Sequence, residues 1–166
     1  VIGQLESVRY ITRQENVGRS AIRNFLFSQS KGDCILFIDG DLSLDNPDFI
    51  RRYMQAEGDV VVGGIRIGGN PEQWKGNLRY KYECAFERKH SLSDRQRRPF
   101  QSFRTTNFIV KRAVFVQYPF DEKLTHYGYE DVLWGKTLEE NGVQIIHINN
   151  PITLTDYENN TLFIDK

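Results

Sequence analysis

Asp39 and Asp41 stand one residue apart, directly after the apolar run Cys34-Ile35-Leu36-Phe37-Ile38. The run has the length and the β-favouring residues of a strand. It is nearly continuous rather than alternating, as in a parallel strand covered on both faces. Ligands of open α/β sheets bind just beyond the carboxyl ends of such strands. Two carboxylates held that close repel each other unless positive charge lies between or beside them. A divalent cation carrying a phosphorylated ligand meets the need: Mg²⁺ takes one or two carboxylates plus phosphate oxygens, and Mn²⁺ accepts the same hard ligands. The triplet Asp39-Gly40-Asp41 also has a plainer reading as a turn, which Asp and Gly favour on their own account.

A second acidic pair, Glu130-Asp131, follows Gly128 and Tyr129, and Trp134 comes one turn later. Acidic residues in a first helical turn complement the helix dipole. With Gly128 loosening the approach and Trp134 as a pocket wall, a carboxylate at the rim could serve as a general base.

The rest of the chain must position these groups. Its 166 residues suffice for one domain with a real core. Lys plus Arg equals Asp plus Glu, at 22 each, so no global field attracts nucleic acid or an anionic membrane. A local basic cluster, Arg95, Arg97 and Arg98 with Arg88 and Lys89 nearby, reads as a solvated loop or as a mobile segment meeting an anionic ligand or membrane surface. Cys34 and Cys84 are too few for a disulfide framework. Cys34 is expected to pack as a small hydrophobe, which fits a reducing compartment. No apolar run approaches the roughly 20 residues that span a bilayer, and no signal peptide is expected from these residues. The chain opens on Val1 rather than Met, which suggests a piece of a longer polypeptide.

Periodicity predicts a short strand at 8–12, a helix at 18–30 stopped by Lys31-Gly32-Asp33, and the strand at 34–38. This order suits a parallel α/β unit. Asn46-Pro47 starts a helix to about residue 56. A strand follows at 59–67, with Gly63-Gly64 marking a bulge or close backbone approach. One long helix is expected over 71–90, a mobile loop over 91–101, and a strand and turn over 104–115. A helix runs from Gly128 to Asn141, a last strand covers 143–148, and a helix is expected in the tail.

Five motifs then stand in order: Gly18-Arg19-Ser20-Ala21-x-Arg23-Asn24, Asp39-Gly40-Asp41, Thr105-Thr106-Asn107-Phe108, Phe120-Asp121-Glu122 and Tyr127-Gly128-Tyr129-Glu130-Asp131. In order and spacing this set resembles the family 2 glycosyltransferases, over nearly the whole chain. The tail His147-Ile148-Asn149-Asn150-Pro151, with Glu158-Asn159-Asn160, resembles a subset common in bacterial surface-polysaccharide clusters. The resemblance implies the α/β GT-A fold, a mostly parallel central sheet with flanking helices. It implies a nucleotide-diphospho-sugar donor, a saccharide or lipid-linked acceptor, and Mg²⁺ or Mn²⁺ at Asp39 and Asp41, with His147 as a further metal ligand. It implies an inverting displacement with Asp131 as base and Glu130 beside it. Donor contacts would fall on Arg19, Arg23, Asn24, Asp39 and Gly40, and acceptor contacts on Tyr129, Trp134 and Asn107. The setting would be cytoplasmic, at the inner face of the membrane with peripheral contact, and without nucleic acid.

Two departures qualify the match. The family normally opens with a strand, a helix and a second strand ending in acidic residues. That portion is absent, so residues 1–166 are expected to form a single partial domain with an unpaired sheet edge through which copies self-associate. Leu154 stands where members with this tail carry another His. Two other readings remain open: a catalytically inactive or saccharide-binding remnant, and a phosphatase of the haloacid dehalogenase type with Asp39 as nucleophile. The latter expects Thr or Val where Ser43 stands, and a late Gly-Asp-rich metal motif that Gly128-Tyr129-Glu130-Asp131 does not supply. A calcium loop counted from Asp39 fails, with Leu44 at its glycine position and Ile50 at its bidentate Glu position.

Overall fold

The computed structural model describes residues 8–125 and 128–165. In chain order the elements are α1 (Arg19–Gln29), β1 (Cys34–Ile38), β2 (Leu42–Ser43), α2 (Phe49–Met54), β3 (Val60–Val62), β4 (Ile65–Ile67), α3 (Pro71–Trp74), α4 (Leu78–Arg88), α5 (Leu92–Arg97), β5 (Asn107–Lys111), α6 (Arg112–Gln117), α7 (Glu130–Glu140), β6 (Ile145–His147), β7 (Ile152–Leu154) and α8 (Asn160–Ile164). They form two sheets. The larger has the order β1-β5-β3-β6 and the smaller β2-β7-β4.

In the larger sheet β1, β3 and β6 run the same way and β5 lies antiparallel between β1 and β3. Three of the four strands thus share one direction, although only the β3–β6 pairing is parallel. Apolar side chains cover both faces. Val60, Val62, Phe108, Val110 and Phe37 join the main core with Phe115, Phe120, Trp134 and Leu138. Val61 points the other way, to Phe49 and Tyr53 of α2, with Leu36, Ile109 and Ile146 beside them. Two covered faces explain why these strands read as unbroken apolar runs.

Three segments cross from the larger sheet to the smaller one. β1 passes to β2 through Asp39-Gly40-Asp41, β3 to β4 through Gly63-Gly64, and β6 to β7 through residues 148–151. The predicted single strand at 59–67 is therefore two. A Cβ at Gly63 would lie 2.3 Å from the Asn150 carbonyl oxygen and 2.5 Å from both Asn107 Nδ2 and the Tyr53 hydroxyl, and Gly64 has a φ of +93°. Only glycine fits a crossing that tight. Asn107 secures it: Nδ2 donates to the carbonyls of Gly64 (2.9 Å) and Asn150 (3.0 Å), and Oδ1 accepts from the Tyr53 hydroxyl (2.6 Å).

Several expectations are corrected. Residues 8–12 form no strand; Val8 and Tyr10 are 41% and 66% exposed, with no neighbouring strand among the described residues to satisfy their backbone. Asn46 accepts from the Asp48 amide but does not cap a helix; α2 begins only at Phe49. The expected long helix is broken at residues 75–77, where Asn77 caps α4 by accepting from the Tyr80 amide. The expected loop at 91–101 contains α5, capped by Ser91. The tail supplies strand β7 before its helix α8. Cys34 is exposed, because it is the first residue of β1 and β1 has only β5 as a neighbour among the described residues.

Candidate active site

The crossing from β1 to β2 places Asp39 at the end of one sheet and Asp41 at the start of the other. The Asp39 amide donates to the Thr106 carbonyl (3.1 Å), and Leu42 pairs with Leu154. Both carboxylates line a cleft of about 500 Å³. A Cβ at Gly40 would meet no atom of the described residues within 4 Å, so the backbone between the two carboxylates borders open space among them.

Helix α7 brings the second acidic pair to the same cleft. Gly128 and Tyr129 both take left-handed backbone, with φ of +93° and +67°. For Tyr129 this costs about 1 kcal/mol, and it turns the chain sharply into the helix. Glu130 is then 5% exposed and Asp131 half-buried at the cleft surface. Burial raises the Asp131 pKa above the ordinary 3.8, and neighbouring Glu130 adds to the rise. The Val132 amide, 2.8 Å from Asp131 Oδ1, and Arg104 oppose it. A carboxylate so raised is a stronger base than a solvated one. Burial likewise raises Asp39, against the pull of Arg23.

Arg23 ties the two acidic sites together. Its side chain is 8% exposed; Nη1 lies 3.1 Å from Glu130 Oε1 and Nη2 3.3 Å from Asp39 Oδ1. Arg19, one turn earlier on α1 and 48% exposed, approaches Glu130 at 3.6 Å and lines the cleft. Arg23 is thus enclosed behind the carboxylates and positions them, while Arg19 lies where a ligand can reach it.

Other sequence-predicted residues lie elsewhere. Asn24 holds α1 to the 120–122 segment, donating to the Phe120 carbonyl and Glu122 and accepting from the Phe120 amide. Trp134 is 2% exposed, stacks on Phe120 at 4.8 Å and donates to the Tyr118 carbonyl, so it is core and not pocket wall. Asn107 is 2% exposed and serves the sheet crossing instead of an acceptor. Tyr129 is 75% exposed beside the cleft; Tyr127 of the same motif lies outside the described residues. His147 is 3% exposed, and both ring nitrogens are engaged. Nδ1 accepts from Arg95 (3.0 Å), and Nε2 donates to the Pro99 carbonyl (2.9 Å). It does not line the cleft and is no ligand for a metal there.

The residues missed by sequence reading are those that complete the cleft: Arg79, Tyr82 and Glu83 of α4, Arg104, and Asp156, Tyr157, Glu158 and Phe163 of the tail. Glu83, 3% exposed, holds Arg79 at 2.7 Å and Arg104 at 3.6 Å, and Arg79 reaches Glu158 at 3.6 Å. The spacing of Arg79 and Glu83, four apart on a helix, was the one local signal.

The donor set suits a hard divalent cation. Among the described residues no group of three or more His, Cys, Asp or Glu could hold a metal alone. Asp39 and Asp41 supply two carboxylates, and an ion bound there would fill its shell from phosphate oxygens and water, the arrangement Mg²⁺ and Mn²⁺ favour.

The model of the family described as "Glycosyl transferase family 2" matches residues 2–121. The chain belongs to glycosyl transferase family 2. The family match ends before Asp131, whose position in the site comes from the geometry above. Among solved structures, S. aureus TarS (residues 1–349) superposes with a TM-score of 0.57 at 18% identity, over 86% of this chain and 42% of that one. The same protein in complex with UDP gives 0.52 at 20%, over 87% and 42%. Glucosyl-3-phosphoglycerate synthase from Mycobacterium tuberculosis, in complex with Mn²⁺, UDP-glucose and phosphoglyceric acid, gives 0.51 at 20%, over 89% and 49%. These likenesses show the fold, which is the GT-A fold of glycosyltransferases. The chain spans less than half the length of each of these structures. No curated protein sequence matches it. Among the described residues no helix is long and apolar enough to cross a membrane.

Proposed function

We propose that the protein carrying this chain transfers a sugar, with inversion, from a nucleotide-diphosphate donor to a saccharide or lipid-linked acceptor. The observation that carries the reading is the shared cleft: Asp39 and Asp41 line it together with Asp131, and Arg23 bonds to both acidic segments. Family membership and the UDP and Mn²⁺ bound by the structural neighbours support the same donor class.

In this reading Asp39 and Asp41 hold the cation and Arg19 meets the donor. Bound Mg²⁺ or Mn²⁺ would offset charge on the diphosphate. Asp131 takes the proton of the acceptor hydroxyl as that oxygen attacks the anomeric carbon from the face opposite the diphosphate. The bond from that carbon to the diphosphate oxygen breaks, and its electron pair leaves with the nucleoside diphosphate. Glu130, engaged by Arg23 and Arg19, keeps the first turn of α7 in place and is not the base. A role in surface-polysaccharide synthesis on the cytoplasmic side of the membrane belongs to this proposal.

Calorimetry with UDP tests the first half. Wild type should bind UDP more tightly as Mn²⁺ is added, and Asp41→Ala should abolish that dependence. UDP affinity that ignores Mn²⁺ in wild type would refute the assignment of Asp39 and Asp41. NMR of the product anomer tests the second half, where a retained configuration would refute the single displacement.

A further inference from the structure

We propose that the part of the cleft built by α4 and the tail is a saccharide subsite. The rings of Tyr82 and Phe163 pack against the sugar, and Asp156 and Glu158 accept from its hydroxyls. The subsite takes a neutral sugar residue in preference to a phosphorylated one. Its identification as the acceptor site rests on the transferase reading above.

Three observations carry it. First, both rings line the cleft that holds Asp39, Asp41 and Asp131, and Tyr82 is 50% exposed there. The two ring centroids are 5.8 Å apart with planes at 52°, and Phe86 backs Tyr82 at 6.4 Å. An aromatic ring left open in a polar cleft suits a ligand that is both apolar and hydroxylated. A pyranose has that character, with C–H groups on one face and hydroxyls at its edge, and aromatic residues with a wet side are well suited to such ligands.

Second, the subsite is built in advance. Asn77 Nδ2 donates to the Glu158 carbonyl (2.8 Å), and the Leu78 amide donates to Asn160 Oδ1 (2.8 Å). Asn159 caps α8 by accepting from the Leu162 amide (3.0 Å). The Arg79 guanidinium lies 5.6 Å from the Phe163 ring centroid. These bonds fix Phe163 beside Tyr82 before any ligand arrives, which lowers the ordering cost of binding.

Third, the charge selects a neutral ligand. Among the described residues the cleft is lined by seven carboxylates and three guanidiniums. Arg79 and Arg104 are engaged by Glu83, and Arg19 by Glu130. A phosphate on the acceptor would meet like charge at close range, whereas hydroxyls find acceptors.

The test is saturation-transfer NMR and titration of the chain with lactose, maltose and N,N′-diacetylchitobiose, against glucose 6-phosphate and glycerol 3-phosphate, all with UDP and Mn²⁺ present. At least one neutral disaccharide should bind, with saturation on its ring C–H protons, and the phosphorylated compounds should bind more weakly. Tyr82→Ala and, independently, Phe163→Ala should each weaken binding at least about tenfold, while Tyr82→Phe retains it. Tighter binding of a phosphorylated compound, binding of no disaccharide, or wild-type binding by both alanine variants would overturn the proposal. UDP binding is read separately in the same samples. In the protein that carries this chain, its absence beside intact disaccharide binding would sink the transferase reading and leave the subsite standing.

Discussion

Replacing Arg23 with Met tests whether one buried guanidinium holds the two acidic sites in register. Arg23 is 8% exposed and Glu130 5%. Removing the cation leaves the Glu130 carboxylate enclosed, with Arg19 as its remaining ion-pair partner among the described residues, 3.6 Å away and 48% exposed. Breaking a buried pair in this way costs about 3–5 kcal/mol, and the help from Arg19 places the expected loss near the lower end, about 3 kcal/mol. For a chain of this size each kcal/mol shifts the melting temperature by roughly 2–4 °C, so a drop of about 6–12 °C follows. Urea unfolding and thermal circular dichroism should be run on wild type, Arg23→Met, Glu130→Gln and the double variant. The double variant should be more stable than Arg23→Met alone, because the enclosed Glu130 carboxylate is gone, with a coupling of about 1–3 kcal/mol. An Arg23→Met variant within about 1 kcal/mol of wild type, or a double variant equal to the sum of the singles, would refute the clamp.

In a full transfer assay Asp131→Asn should lower turnover by about 10²–10⁴-fold. Because the Asp131 pKa is raised, the wild-type rate should already fall with decreasing pH above the ordinary carboxylate value of 3.8, and a flat profile there would point to another base. His147 is pushed down from 6.5 to about 4, chiefly by burial. As pH falls from 6.5 towards 4 the unfolded chain takes up a proton that the folded one refuses. Stability is therefore full above pH 6.5 and loses on the order of 3 kcal/mol across that window. His147→Gln should remove this part of the pH dependence in urea titrations, and an unchanged slope would contradict the neutral, doubly bonded ring. Gly63→Ala should prevent stable folding, whereas Gly76→Ala, where an added Cβ meets no atom of the described residues within 4 Å, should be near neutral by the same melting assay.

What was legible in the sequence was local. The run Cys34–Ile38 and the helices α1 and α7 were found where periodicity and stop signals put them. The smaller sheet was not: its strands are two or three residues long and pair across the chain, Ile65 with Ile152 and Leu42 with Leu154, so no local pattern announces them. Asp39, Asp41 and Asp131 were each singled out by type and spacing, and the fold lines one cleft with all three. Trp134 could have been placed from sequence alone, because Glu130, Trp134 and Leu138 are four apart and form the buried stripe of α7, with Asp131 off that stripe. His147 likewise alternates with Ile145 on the inner side of β6. Tyr82 and Phe163 were out of reach, because their proximity depends on a tail that returns to α4 through Asn77 and Asn160.

The Asn107 amide also bears on how the molecule comes into being. Its partners Gly64, Asn150 and Tyr53 lie 43, 43 and 54 positions away along the chain. None of these bonds can form within a nascent hairpin or a single helix. The residue directly opposite Asn107 in the sheet is Ile38, so the backbone that presents Asp39 is registered by the same event. The Asp39 end of the cleft is therefore complete only once three distant segments have met. Contacts of that sequence separation slow folding relative to local helix formation, because the chain between them must first be ordered.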